Sequence, residues 1–386
     1  MPHILLEPHD DIAINSENNF EFIAKGNYDE KLSVKDDGKE FLLTKVKKNE
    51  KELIKLDGAT RLTPVSMMKK ALNDYASLSK ANILFTNTDS NLNKVEPEKA
   101  FLKEIGYFVN EFKTDKEIWV EVGFGSGKHL LHQAQNNKDK IIIGLEIHYP
   151  SIEQVLKQAK LQNIDNILVV NYDARLFLEF LKSNSVGRVF VHFPVPWDKK
   201  PHRRVMSVEF IQESLRVLKI DGTLELRTDS PNYFEYSSSL LEEFKEYPNK
   251  ILKNQDLSIT SKYEARWKKQ EKDIWDVIIY STELSNEVVL DGDFVFPLTY
   301  DAKNIKTKIP TKAVVTKEFI LNFECVYDID FKTNNGLLVK ITMGSFNRPV
   351  TKYLFLKDNK MRYFQGDPIR TRTNLEAHKM IMEILK

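Results

Sequence analysis

The chain has one cysteine, Cys325, in 386 residues. No intramolecular disulfide can form, and a cysteine-based zinc site is excluded; no metal is expected. No uninterrupted apolar run is long enough to span a bilayer. Met1 to Asp10 offers neither a basic n-region nor a long apolar h-region, so no signal peptide is expected. These absences predict a cytoplasmic protein with no membrane partner. Excess charge is missing as well, since the net value is +1. That value argues against a nucleic-acid binder, because affinity for phosphate usually comes with excess Lys and Arg. The average conceals local structure. The first thirty residues set Glu7, Asp10, Asp11, Glu17, Glu21, Asp29 and Glu30 against Lys25 alone. Two later stretches are basic: Lys199-Lys200-Pro201-His202-Arg203-Arg204, and Lys262 through Arg266, Lys268, Lys269 and Lys272. A charge run is ordinarily a solvated face, and only its position beside a catalytic motif argues otherwise.

What is present is organised in three stretches. The length exceeds what one hydrophobic core usually organises, and the 41% hydrophobic and 29% charged content is that of a soluble globular protein. Residues 1–90 read as a β-rich N-terminal extension with a helix over 64–80, ending in a polar linker from Asn87 to Asn93. Residues 95–284 open with a helix over 97–112 and then alternate. Strands are predicted at 117–122, 141–146, 167–170, 188–193 and 223–227, with helices at 127–136, 151–162, 174–182 and 207–219. Such alternation predicts an α/β domain with a mostly parallel sheet covered on both faces. Ile274–Tyr280 could add an antiparallel edge. Residues 285–386 lose the alternation and read as a β-rich C-terminal extension, closed by a helix over Leu375–Leu385.

The strongest local signal is Glu121-Val122-Gly123-Phe124-Gly125-Ser126-Gly127, between a strand and a helix. Glycines there let the backbone turn tightly and approach a bound nucleotide. Glu121 ends the first strand, Glu146 the second, and Asp173 lies just past the third. Ligands of open α/β sheets bind at these strand ends, so the three acids converge on one crevice. A dinucleotide shares the Gly loop and the second-strand acid, but its pyrophosphate is repelled by Glu121. S-adenosylmethionine has no phosphate and carries a sulfonium and an ammonium, which suits an acid-lined site. Glu146 is placed to accept the ribose hydroxyls, and Asp173 the adenine amine.

With Gly144-Leu145-Glu146-Ile147-His148, Asp173-Ala174, the segment Phe193 through Arg204 (FPVPWDKKPHRR) and Thr228-Asp229 followed by Tyr233, these motifs fall in a familiar order. Over about residues 95–284 the chain resembles the bacterial tRNA (guanine-N7-)-methyltransferases, the TrmB family. The resemblance implies a Rossmann-like fold and transfer of a methyl group from S-adenosylmethionine to a guanine of the tRNA variable loop. It implies that Glu121, Glu146 and Asp173, with Gly123 and Gly125 in the loop, hold the cofactor. It assigns Lys199, Asp229 and the Ser261-Lys262-Tyr263-Glu264 segment to the tRNA substrate.

One position departs. The family carries a catalytic Asp between the two prolines, and here that residue is Val195. Asp198 is the candidate replacement, with a salt partner for Lys199 or Lys200 as its plainer role. Guanine N7 has a free lone pair and no proton to lose, so catalysis can rest on positioning, which alone supplies roughly 7–11 kcal/mol. Lys199, Lys200, Arg203 and Arg204 would then rim the site and grip phosphates. Trp197 either stacks on a base or anchors its own loop. Val195 leaves two alternatives beside the leading one: a methyltransferase of another RNA or small substrate, and an inactive tRNA-binding protein.

Overall fold

The computed structural model describes residues 2–62, 65–88, 98–256, 272–331, 335–346 and 348–386. The chain forms two compact units. One joins Met1–Asn93 to Leu290–Lys386, and the other is Lys94–Val289.

The first unit is built around an antiparallel sheet. Its N-terminal part supplies β1 (His3–Leu6), β2 (Phe20–Lys25), β3 (Glu30–Asp36), β4 (Lys39–Lys48) and β5 (Lys51–Leu56), then α1 (Ser66–Ser79) and β6 (Ile83–Thr86). The C-terminal part contributes strands over Val314–Val315, Ile320–Asp330, Asn335–Gly344, Val350–Lys357 and Lys360–Tyr363, with helices over Ala302–Lys308 and Arg372–Leu385. The two ends of the chain were expected to form separate extensions. Instead they share one sheet, because the Ile320–Asp330 strand pairs with β2 at Asp328↔Lys25 and Ile329↔Ala24. Phe22 stacks on Phe355 across this seam with ring centroids 5.1 Å apart. Beneath it, Lys31 Nζ sits 3.1 Å from Asp57 Oδ2, and Tyr353 donates to the same oxygen at 2.9 Å. The carboxylate from one end of the chain thus satisfies a buried hydroxyl from the other.

The second unit runs β7 (Leu102–Lys103), α2 (Ile105–Asn110), β8 (Ile118–Val122), α3 (Lys128–Asn136), β9 (Ile141–Leu145), α4 (Tyr149–Leu161), β10 (Ile167–Val170) and α5 (Ala174–Phe177). It continues with β11 (Val186–His192), α6 (Val208–Val217), β12 (Leu218–Thr228), α7 (Pro231–Leu240), β13 (Asn249–Lys253) and β14 (Trp275–Tyr280). The sheet order is β13-β14-β12-β11-β8-β9-β10-β7. The strands from β12 to β7 are parallel, while β14 and β13 are antiparallel, so the mostly parallel sheet expected is a mixed one. Every residue of β8 is buried, Glu121 included, as expected of a central strand covered on both faces. Ser207, Asp173 and Ser230 cap α6, α5 and α7 with side-chain acceptors, which fixes where each helix leaves the sheet.

Three local expectations change. The helix over 97–112 is broken into a 3₁₀ turn at Lys99–Phe101, the short β7 and α2, because Leu102 and Lys103 pair with β10. The helix over 174–182 tightens to a 3₁₀ turn after Phe177. The Asp221-Gly222 turn lies inside β12, which absorbs it with Asp221 at φ 63°. Among the described residues, no helix is long and apolar enough to cross a membrane.

Candidate active site

Strand order reverses at β8, with β9 and β10 on one side and β11 and β12 on the other. That reversal opens a crevice at the carboxyl ends of the strands. The Gly loop leaves β8 there. Gly123, Gly125 and Gly127 all have left-handed backbone, at φ 67°, 53° and 69°. Gly127 is the most constrained, since a Cβ on it would stand 1.9 Å from Val155 Cγ2 on α4. Gly127→Ala combines left-handed strain with overpacking, and a loss of about 2–4 kcal/mol is expected. Urea unfolding followed by tryptophan fluorescence checks it.

The acids converge only in part. Glu121 is 2% exposed at the end of β8, where His129 Nδ1 of α3 donates to its Oε2 at 2.9 Å. Gln133 Nε2 lies 2.9 Å from the other ring nitrogen of His129. Glu146, just past β9, accepts from the loop: Gly125 N–H is 2.9 Å from Oε2, and Ile147 and His148 N–H are 2.8 and 2.9 Å from Oε1. One carboxylate therefore ties the Gly loop to the start of α4. Asp173 has a further partner. Its two oxygens grip Arg175, at 3.0 Å to Nε and 2.6 Å to Nη2, so its carboxylate already has a cationic partner. Arg175 Nη1 reaches on to the His202 carbonyl at 3.4 Å. This donor set fits a cationic, phosphate-free ligand: Glu121 and Glu146 stand on neighbouring strands beside an open glycine turn.

Sequence reasoning missed a polar row on the α3 face of the sheet. His192 lies opposite Arg227, and Arg227 opposite Asp276, in register across β11, β12 and β14. Arg227 is fully buried, with Nη1 2.6 Å from Asp276 Oδ1 and Nη2 donating to the Gln255 carbonyl at 2.8 Å. The His192 ring is 4.5 Å from that of His129. Burial, reinforced by the neighbouring His129 and Arg227, holds the His192 imidazole well below its usual pKa, so it is neutral at physiological pH. A signal for this row was present in β14, where Asp276 interrupts an otherwise apolar strand.

The Pro-Trp segment follows β11 in a strained turn, with Phe193 at φ 50° and Trp197 at φ 47°. Val195 is 60% exposed. Arg204 was expected on the rim but is 9% exposed. It donates to the Pro196 carbonyl at 2.8 Å and lies over the Tyr236 ring at 4.4 Å, fastening the loop to α7. Asp198 pairs with Arg204 at 3.4 Å, rather than with either lysine. Lys199 and Lys200 are exposed, and Arg203 covers Trp197 at 5.1 Å. Asp229, just past β12, pairs with Lys272 at 3.3 Å. Ser261, Lys262, Tyr263 and Glu264 lie outside the described residues.

A family model described as "Putative methyltransferase" matches residues 115–277, which contain this whole crevice. A Wolinella succinogenes tRNA (guanine-N(7)-)-methyltransferase is 42% identical, over 93% of this chain and 91% of its own. The likeness includes the terminal unit. The chain belongs to the tRNA (guanine-N(7)-)-methyltransferase family. Proteins of the same name from Campylobacter fetus (38% identical, 92% of this chain and 91% of that one) and Helicobacter pylori strain 26695 (38%, 89% and 86%) match at similar length. Within the family frame, Val195 is a surface residue on an anchored loop, and replacing it disturbs no packed core.

Proposed function

We propose that this chain transfers the methyl group of S-adenosylmethionine to N7 of a guanine in the variable loop of tRNA. The observation that carries the reading is the Gly loop flanked by Glu121 and Glu146 at the strand reversal, in a chain of this family. S-adenosylmethionine, when bound, supplies a methyl group already activated by its sulfonium. Glu121, fixed by His129, offers a buried negative charge to the cofactor's cationic end. Glu146 holds Gly125 in place and keeps a free acceptor position for a ribose hydroxyl. Asp173 offers its remaining lone pairs to the adenine amine while it caps α5. Lys199 grips a phosphate, and Asp229, with the Ser261–Glu264 segment, receives the guanine. With S-adenosylmethionine held there, the transfer would balance with the N7 lone pair forming the bond to carbon and the carbon–sulfur electron pair remaining on sulfur. No proton moves in that step, so the reaction does not require the carboxylate that Val195 replaces.

Labelled S-adenosylmethionine and tRNA lacking 7-methylguanine test this directly. Label in 7-methylguanosine after nuclease digestion is the expected result, and label in any other nucleoside overturns it. Val195→Asp restores the family carboxylate at an exposed position. It is expected to change kcat by less than about tenfold, because a general base contributes its usual factor of about 10²–10⁴ only where a proton is transferred.

A further inference from the structure

The outer face of the sheet at β1, β5 and β6 has an ordered composition. Leu53, Leu5 and Phe85 lie side by side across the three strands, since Leu5 faces Leu53 on one side and Phe85 on the other. Phe85 is 49% exposed, and the His3 ring stacks on it at 5.2 Å. Basic residues bracket this apolar row. Lys55 faces His3 at one end, and Lys48 faces Lys51 across the β4–β5 hairpin at the other. These residues line a groove of about 730 Å³, with Glu50 as its single acid.

Like charges directly opposite each other destabilise a strand pair. Two buried lysines of the same unit are neutralised: Lys31 sits 3.1 Å from Asp57, and Lys45 3.2 Å from Glu52. Here the cost is left standing, and among the described residues no carboxylate pairs with Lys48, Lys51 or Lys55. An aromatic and apolar centre between two basic margins matches the chemistry of unpaired nucleic acid, with bases to stack and phosphates on either side.

We propose that this face is a second RNA-binding site, which takes an unpaired stretch of the tRNA. Its bases lie on Phe85, Leu5 and Leu53, and its phosphates meet Lys48, Lys51 and Lys55. The proposal rests on the reading of tRNA as substrate. It assigns a function to the part of the chain outside the methyltransferase unit.

The test measures binding of an unmodified tRNA transcript and a short unstructured RNA to the full chain, by fluorescence anisotropy over a salt series, without cofactor. Replacing Lys48, Lys51 and Lys55 together by Gln is expected to weaken binding about tenfold or more. The slope of log K against log salt should fall by about 2, as three single-strand phosphate contacts are lost. Phe85→Ala should weaken binding roughly tenfold with the slope unchanged. A control replaces the exposed Lys308, Lys312 and Lys317 by Gln and removes the same charge. Equal losses in control and test, or unchanged affinity in test variants that keep wild-type circular dichroism, overturn the proposal. Loss of self-association by Phe85→Ala, with RNA affinity intact, assigns the face to a second copy and also overturns it. Because binding is read without turnover, a wild-type protein that binds RNA through this face but makes no 7-methylguanosine refutes the activity and leaves the face standing.

Discussion

Glu146→Ala is expected to weaken cofactor binding about 10- to 100-fold. The Glu146 carboxylate accepts three backbone N–H groups, from Gly125, Ile147 and His148. Hydrogen bonds to a charged group contribute about 1.5–3 kcal/mol each, but solvent recovers most of that for N–H groups in an open crevice. On the proposed reading, the net loss is the ribose acceptor plus the tether between Glu146 and the Gly loop. Calorimetric titration with S-adenosylhomocysteine reads the effect without turnover. Glu146→Gln keeps one acceptor oxygen and should lose less. Affinity unchanged in Glu146→Ala would place the ribose elsewhere.

Arg227→Met should destabilise the methyltransferase unit by about 3–5 kcal/mol, the usual cost of stranding one member of a buried ion pair. Arg227 is fully buried and holds Asp276 at 2.6 Å. Replacing both, as Arg227→Met with Asp276→Leu, should recover most of the loss, because two well-packed apolar groups carry no uncompensated charge. All four tryptophans, at 119, 197, 267 and 275, belong to this unit. Tryptophan fluorescence during denaturation therefore reports it apart from the terminal sheet, which matters because two units need not unfold as one transition. Equal stability of the single and double variants would show that the loss does not come from a stranded Asp276 charge.

These residues also mark what was legible in the sequence. That Glu121, Glu146 and the Gly loop lie close together is legible because the Gly-rich turn marks where one apolar run stops, and Glu146 closes the next. The role of Arg204 was not legible. It adjoins exposed basic residues, and only the packing of α7 under the loop turns it inward onto Tyr236. Asp173 was placed correctly at the third strand end, but its grip on Arg175 depends on a rotamer that no periodicity encodes. The Arg227–Asp276 pair required the register of an antiparallel neighbour, β14, joined through residues far along the chain. The shared terminal sheet was the least accessible feature. Its strands looked ordinary at each end, and nothing local says that Ile329 will lie against Ala24.

That shared sheet sets a timetable for synthesis. Tyr353 follows Asp57 by 296 residues. At common elongation rates of about 5–20 residues per second, the partner arrives roughly 15–60 s after the carboxylate emerges. During that interval β2 is the open edge of an unfinished sheet, free to pair with any other extended chain. The methyltransferase unit, encoded wholly between the two ends, has time to fold first. A nascent chain whose catalytic unit is complete therefore still lacks the strand that covers β2.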